Sequence, residues 1–301
     1  MRITRCPGLV RLRHVPTEQF RKVGQVYCLV HFVVFSVRLK RIIRPLLTRI
    51  GWERTLRPIP FLHSTRQNHR LRHEKTMHHL PCLLLIRHAQ SENNALEDQF
   101  RVPDPGITKL GIAQSKKLAL SMARLAPTVL YCSPFLRSLE TTRWIAEHTG
   151  AVPNVRQDIY EQGGCHSGFQ PGRRIAQMGM NRETLARQYA GWHLDERIGD
   201  EGWYDLDHYE TADEVRKRAL QVRKWYESES QMHSAQDRVA MVIHADFKVR
   251  LLEAFLEDDS IEEQLGDIVN TSISRLSLSQ GRWRIDYWNM FSHLDPHEIS
   301  T

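Results

Sequence analysis

The chain has 301 residues, a hydrophobic content of 41% and a formal net charge of +7 at pH 7. These values place it in the ordinary globular class, with enough apolar residues for one large core or two modest ones. Its five cysteines are widely spaced and form no CxxC or Cys/His pair, which excludes a disulfide framework and a zinc site of that type. A reducing cytoplasm is the simplest compartment for such a chain.

The positive charge is concentrated at the N-terminus. Residues 1–76 contain 17 Lys/Arg and 3 Asp/Glu, whereas residues 77–301 contain 25 basic and 32 acidic residues. We therefore expect a basic N-terminal extension over 1–76 that takes no part in the fold, followed by one catalytic domain over 77–301. The short polar lead that follows Met77 fits an enzyme whose true start lies there.

Three other roles for the extension stay open: organelle targeting, contact with a membrane surface, or nucleic-acid binding. Its uncharged apolar stretch, VGQVYCLVHFVVFSV at 23–37, has 15 residues, whereas a membrane-spanning helix needs about 20. For the catalytic domain we expect no nucleic-acid partner.

The first predicted strand of the body is the apolar run LLLI at 83–86, which ends at Arg87 and His88. A run without polar alternation is typical of a strand buried on both faces, as in a parallel sheet. In such sheets reactive groups stand just beyond the carboxyl ends of the strands. A single histidine there is more often structural than catalytic, so His88 alone decides nothing.

Strands and helices then alternate along the body. Thr108 is a predicted N-cap for a helix through Met122, and a short strand follows at 129–132. The pair Ser133-Pro134 predicts the start of the next helix, which runs to Gly150 and carries Arg137 in its first turns. An arginine at a helix N-terminus suits an anion, although an ion pair of Arg137 with Glu140 is the structural alternative.

A second apolar run at 239–243 ends at His244, so the chain repeats the plan of its first strand. Together, Arg87, His88, Arg137 and His244 could hold a tetrahedral dianion, with one imidazole attacking its phosphorus. A metal site is the rival interpretation, because histidine is the commonest metal ligand. The absence of HxH and HExxH, and the repulsion of a divalent cation by two arginines, disfavour it.

At this point the chain resembles the histidine phosphatase superfamily, which includes cofactor-dependent phosphoglycerate mutases, the fructose-2,6-bisphosphatase domain and broad-specificity phosphatases. The resemblance covers roughly 82–294 and rests on several motifs in order. They are RHAQSENN at 87–94, GITKLGIAQSKKLA at 106–119, SPFLRSLETT at 133–142, VIHADF at 242–247, NTSISRL at 270–276 and WNMFSHL at 288–294. The resemblance implies an α/β fold, a three-layer sandwich with a mostly parallel central sheet.

The resemblance also implies roles for individual residues. His88 would be the nucleophile that becomes phosphohistidine, and Glu161 in DIYEQGG would be the proton donor and base. The phosphoryl group would be bound by Arg87, Arg137 and His244, with Ser91 and Asn94 supporting the first loop. No metal and no cofactor is implied. Cationic neighbours should keep His88 neutral, and partial burial should raise the pKa of Glu161.

Two departures concern Ala89 and Ala245, which stand where the family usually has glycine after each histidine. Glycine allows positive φ and close backbone approach, so we expect a slightly different backbone at one or both loops. These alanines are the one hint of an alternative, a catalytically weak member that binds or regulates.

The activity is expected to be hydrolysis of a small phosphorylated metabolite. Mutases carry an Asn-Glu-Arg-x-Tyr-Gly string after the acid, and EQGGCHSGFQPGRR at 161–174 lacks it. Phosphoglycerate mutase-type transfer therefore remains the alternative. We further expect the aromatic and acidic segment 192–209 to cap the site, and a core-facing amphipathic helix to follow from Thr211 to Trp225.

Overall fold

The computed structural model of the protein describes residues 82–170, 172–234 and 236–301. The expected extension over 1–76 and its boundary at 77 lie outside these residues. The helices, in chain order, are α1 Glu92–Ala95, α2 Lys109–Leu125, α3 Leu136–Thr149, α4 Arg182–Gln188, α5 Ala212–Glu229 and α6 Ala245–Leu256. The strands are β1 Cys82–Arg87, β2 Val129–Cys132, β3 Pro153–Val155, β4 His166–Ser167, β5 Ile175–Ala176, β6 His193–Leu194, β7 Arg238–Ile243, β8 Ile273–Ser279 and β9 Arg282–Met290.

Seven of the strands form one sheet in the order β6-β3-β2-β7-β1-β8-β9. The five strands from β6 to β1 run parallel, and β8 and β9 continue the sheet in antiparallel fashion. The remaining strands, β4 and β5, pair with each other as a separate small hairpin. The mostly parallel sheet predicted from the sequence is thereby confirmed.

Helices cover both faces of the sheet, because the side chains of each buried strand alternate between two cores. Leu84 and Ile86 of β1 pack in a core with α2 and α3 on one face. Leu83 and Leu85 pack in a second core with α5 and α6 on the other. All four side chains are buried, as the unalternated apolar run indicates. The result is the three-layer sandwich expected from the resemblance.

The register of the central strands brings their polar ends together. Arg87 at the end of β1 pairs with Ile243 at the end of β7, and Cys132 at the end of β2 pairs with Val242. The next residues, His88, Ser133 and His244, therefore lie along one edge of the sheet. This edge is where an open α/β sheet places its ligand site.

The start of α3 differs from the prediction. Its N-cap is Phe135, not Ser133, and the helix begins at Leu136. The Ser133 hydroxyl is instead hydrogen-bonded to His244 Nε2 at 2.7 Å, and Asp104 Oδ1 accepts the Leu136 N–H at 2.8 Å. A distant carboxylate thus does the capping that we expected from the local serine. The predicted end holds, with Gly150 as C-cap in the left-handed region.

The other helix predictions are confirmed. Thr108 caps α2 by accepting the Gly111 N–H at 3.0 Å. Thr211 begins α5 with a capping box that includes Glu214, and the helix extends to Glu229, beyond the predicted Trp225. None of the helices in the described ranges is long and apolar enough to cross a membrane.

Candidate active site

His88 follows β1 and is 3% exposed. Its Nδ1 lies 2.7 Å from the Ala89 carbonyl oxygen, which can only accept, so Nδ1 carries the ring proton. The lone pair is then on Nε2, where the Arg137 Nε–H donates to it at 3.2 Å. The ring therefore presents an unprotonated nitrogen to the cleft.

Burial and charge keep this imidazole neutral. Burial lowers the pKa of His88 well below its usual value, and the positive charges of Arg137 and Arg87 lower it further. A neutral imidazole is the nucleophilic form, so no separate base is needed to activate it at pH 7. This is the direction that the sequence predicts.

The two arginines line the same cleft from different elements. Arg87 ends β1 and donates to the Ile268 carbonyl oxygen, while its Nε has no hydrogen-bond partner within the described part of the chain. Arg137 lies in the first turn of α3, and its guanidinium stacks on the Phe135 ring at 3.9 Å. The alternative pairing of Arg137 with Glu140 is absent among the described residues, where Glu140 instead accepts the Ile107 N–H at 2.7 Å.

His244 is fully buried beside His88, with ring centroids 5.0 Å apart. Its Nε2 is 2.7 Å from Ser133 Oγ and 3.4 Å from Ser138 Oγ. Its Nδ1 is buried without a partner in residues 82–170, 172–234 and 236–301. Burial, then the charge of Arg137, lowers the pKa of His244 well below its usual value. A buried neutral imidazole with one unused nitrogen can donate to a bound anion.

Ser91 and Asn94 close the loop after His88. Asn94 Oδ1 accepts the Ser91 N–H at 3.1 Å and the Ser91 hydroxyl at 3.0 Å, which caps α1. Asn270 joins them: its Nδ2 donates to the His88 carbonyl oxygen at 3.1 Å and lies 3.5 Å from Asn94 Oδ1. Asn270 thus links the loop that carries Ser91 and Asn94 to the backbone of His88.

Glu161 lines the cleft from the loop between β3 and β4. Its Oε1 accepts the Phe247 N–H at 2.9 Å and the Gln162 N–H at 2.8 Å, so the proton of the neutral acid belongs on Oε2. Burial, reinforced by the nearby charge of Asp246, raises the pKa of Glu161 to about 7. The carboxyl can therefore give up and take back a proton near neutral pH.

The two alanines adopt ordinary backbone conformations. Neither Ala89 nor Ala245 is among the residues with positive φ. Ala89 is fully buried and donates its N–H to Thr141 Oγ1 at 3.0 Å, and Ala245 is the first residue of α6. We expected an altered backbone because glycine can adopt positive φ and alanine rarely does. Neither position has positive φ, so alanine fits both without strain.

One wall of the cleft is aromatic. The ring of His166 lies 4.7 Å from that of Phe169 and 4.9 Å from that of Tyr209, centroid to centroid. The Arg174 guanidinium covers Tyr209 at 3.9 Å. Gly163 makes room for this ring: its φ is +88°, and a Cβ there would lie 2.2 Å from Tyr209. The wall borders a cleft of about 170 Å³ that also contains Arg87, His88, Arg137 and Glu161.

The expected cap over 192–209 is wrong for most of the segment: none of its residues lines the cleft itself, and Tyr209 reaches the aromatic wall through its contact with His166. Trp203 is instead buried behind the cleft, 4.5 Å from the Phe135 ring, and Tyr204 packs against Gly164. Apolar burial explains the difference: the large aromatics of the segment are more stable in the core than over a polar cleft. Through these two rings the segment packs against Phe135 and Gly164, which line the cleft.

A group of side chains that could hold a metal ion lies outside the cleft. Within the described ranges it comprises Asp295, His297 and Glu298. Both carboxylates of this group already pair with Lys117, whose Nζ is 2.5 Å from Asp295 Oδ2 and 2.7 Å from Glu298 Oε2. At His88 the neighbouring donors are guanidiniums and imidazoles, which suit an anion.

Two supporting residues were not assigned a role from the sequence. Asn270 stands in the NTSISRL motif, which could have identified the segment but not its hydrogen bond to His88. Asp104 is a half-buried carboxyl, and desolvation raises its pKa to about 6, although Arg137 opposes the rise. No periodic signal marks Asp104, because it acts through the α3 N-terminus 32 residues further along.

The fold and this cleft define an α/β protein with a buried histidine and two arginines at the carboxyl ends of its parallel strands. A sequence profile of the histidine phosphatase superfamily (branch 1) matches residues 83–290, more than half of the chain. The chain therefore belongs to the histidine phosphatase superfamily.

Individual relatives are more distant. The 5''-phosphoribostamycin phosphatase of Niallia circulans is 37% identical over 81 residues, which cover 25% of this chain and 38% of that protein. The match thus spans well under half of the relative. Two solved structures have a TM-score of 0.50: mycobacterial hydrolase 1, at 23% identity over 70% of this chain and 98% of its own, and phosphoserine phosphatase of Entamoeba histolytica, at 17% over 71% and 100%. These similarities support the fold.

Proposed function

We propose that the protein is a metal-independent phosphomonoester hydrolase that acts through a phosphohistidine at His88 on a small phosphorylated metabolite. The observation that carries this proposal is the set of polar groups around His88. His88 lines the cleft with its lone pair on Nε2. Within the described ranges two buried donor atoms have no protein partner: Arg87 Nε, whose residue also lines the cleft, and His244 Nδ1, whose ring lies 5.0 Å from that of His88. A phosphoryl group would satisfy these donors.

In the first step, the Nε2 lone pair of His88 attacks phosphorus and the ester P–O bond breaks. The leaving oxygen takes the proton of Glu161. Arg87, Arg137 and His244 bind the equatorial oxygens, and Arg137 exchanges its contact with His88 Nε2 for one with the phosphoryl group. Most of the rate enhancement would come from positioning and from stabilisation of negative charge.

In the second step, the Glu161 carboxylate removes a proton from water while the water oxygen attacks phosphorus. The P–N bond breaks, which returns neutral His88 and releases inorganic phosphate. Ser91 and Asn94 hold the loop that carries the nucleophile. A pKa of about 7 lets Glu161 act as acid in one step and base in the next.

Hydrolysis is favoured over mutase-type transfer, because residues 161–174 contain no Asn-Glu-Arg-x-Tyr-Gly string and form part of the β4–β5 hairpin. The ordinary backbone at Ala89 and Ala245 favours an active enzyme over a weak binding member. Cys82, Cys132 and Cys165 are free thiols, which supports a reducing cytoplasm as the compartment.

The direct test is hydrolysis of p-nitrophenyl phosphate by the purified chain in the presence of EDTA. We expect turnover that EDTA leaves unchanged, since the donors around His88 suit an anion. Loss of activity in EDTA that returns with a divalent cation would support metal catalysis instead. Inactivity across a broad panel of phosphate esters would contradict the proposed hydrolase.

The aromatic wall predicts a preference for substrates with a ring. In a Phe169→Ala variant we expect KM for phenyl phosphate to rise about 3- to 10-fold, since an aromatic contact contributes roughly 0.5–1.5 kcal/mol. KM for ethyl phosphate should stay the same. Phe100→Ala is the control, because Phe100 is 61% exposed and does not line the cleft. Equal effects on both esters would show that Phe169 does not select the leaving group.

A further inference from the structure

A buried ion pair lies behind the loop that carries Glu161. Arg218 of α5 and Glu210, just before that helix, are 7% and 2% exposed. Arg218 Nε donates to Glu210 Oε1 and its Nη2 donates to Glu210 Oε2, both at 2.6 Å. This two-bond geometry fixes the guanidinium plane and not merely its charge.

The pair holds the backbone of the loop on both sides of Glu161. Arg218 Nη1 donates to the carbonyl oxygens of Asp158 and Tyr160, each at 3.0 Å. Glu210 Oε2 accepts the Gly163 N–H at 3.2 Å. Residues 158, 160 and 163 thus have a common anchor, and the acid lies between the last two.

The same guanidinium also touches the residue that holds the acid. It lies between two rings, 3.7 Å from the centroid of Tyr160 and 4.1 Å from that of Phe247. The Phe247 N–H is the donor to Glu161 Oε1 at 2.9 Å. Arg218 therefore contacts both the chain segment that carries the carboxyl and the α6 residue that orients it.

We propose that Arg218 and Glu210 are a positioning pair for the proton donor Glu161, an inference that rests on the proposed hydrolase function. Neither residue lines the cleft, and all three nitrogens of the Arg218 guanidinium donate to Glu210 or to the loop backbone. Their effect passes through the loop and through Phe247. Loss of the guanidinium would release two backbone contacts, leave Glu210 without its partner, and let Oε2 move away from the leaving oxygen.

A displaced acid has a specific kinetic signature. An alkyl alcohol is a poor leaving group and needs the proton, whereas p-nitrophenolate leaves without one. Misplacing a catalytic group by about 1 Å can cost on the order of 100-fold in rate. The positioning role therefore predicts a large loss with alkyl phosphates and a small loss with p-nitrophenyl phosphate, while general damage to the site would lower both.

The experiment compares kcat/KM of Arg218→Met and Arg218→Lys with the parent chain on ethyl phosphate and on p-nitrophenyl phosphate. We expect Arg218→Met to lose on the order of 10- to 100-fold with the alkyl ester and less than about 3-fold with the aryl ester. Arg218→Lys should lose nearly as much, because the lysine ammonium cannot form the two parallel hydrogen bonds that the guanidinium makes to Glu210. Arg223→Met is the matched control, since Arg223 lies on the same helix and pairs with Glu227 and Glu257.

A double variant tests whether the pair acts through Glu161. Adding Arg218→Met to Glu161→Gln should cause no further loss with ethyl phosphate; a multiplied loss would overturn the proposal. Equal losses on the two esters in the single variant would overturn it as well. If Arg218→Met does not fold, as judged by its thermal transition, Glu210→Gln carries the same comparison. A parent chain that hydrolyses neither ester would refute the hydrolase itself, an outcome distinct from equal losses.

Discussion

Replacing His88 by alanine is expected to abolish hydrolysis, with a loss in kcat on the order of 10⁵-fold for every ester. The variant lacks the only group that we expect to bond to phosphorus, while it keeps Arg87 and Arg137, which we propose bind the phosphoryl group. KM should therefore change little. The measurement is steady-state turnover of p-nitrophenyl phosphate, together with covalent labelling by a radioactive phosphate ester in alkali-quenched samples, which should be seen in the parent chain and not in His88→Ala.

His148→Ala is a suitable control for this variant. His148 is an exposed histidine on α3, with Nδ1 2.9 Å from the Trp144 carbonyl oxygen, and it does not line the cleft. It should keep parental activity and labelling. Substantial turnover by His88→Ala, or label recovered at full level in that variant, would contradict a phosphohistidine at this position.

Much of the fold follows from local patterns. The unalternated run at 83–86 predicts a strand buried on both faces, and β1 sits centrally with helices on each side. The second run ending in His244 predicts a strand end at the same edge, and β7 is the neighbour of β1. An unalternated apolar run is informative here because both faces of each strand are buried against an apolar core.

The supporting polar contacts could not be predicted in the same way. Asp104 caps α3, and Asn270 bonds to the His88 carbonyl oxygen 182 residues away. Such pairs depend on the tertiary positions of both partners, and a lone polar residue leaves no periodic trace. The same limit explains why most of the expected cap over 192–209 lies elsewhere: composition shows its aromatic residues, but not that Trp203 and Tyr204 are buried in the core.

Glu161 was assigned on the resemblance alone, and the structure supplies physical reasons for it. The carboxyl lines the cleft, and burial together with Asp246 raises its pKa to about 7. In a Glu161→Gln variant we expect kcat/KM for ethyl phosphate to fall about 10²- to 10⁴-fold, the range for loss of general acid catalysis. With p-nitrophenyl phosphate, phosphorylation of His88 should persist, and the intermediate should accumulate because water lacks its base. A rapid burst of p-nitrophenolate followed by slow turnover would reveal this.

The pH dependence of kcat/KM tests the protonation states of His88 and Glu161 independently. His88 must be neutral and Glu161 protonated for the first step, so kcat/KM for ethyl phosphate should be maximal between the two pKa values. It should fall as pH rises through about 7, where Glu161 loses its proton. The fall on the acid side should begin well below 6.5, where His88 gains one. In Glu161→Gln the alkaline fall should disappear, since the amide does not titrate. An alkaline limb that survives this substitution would assign the proton to another group, and an equal loss on both esters would remove Glu161 from the role of acid.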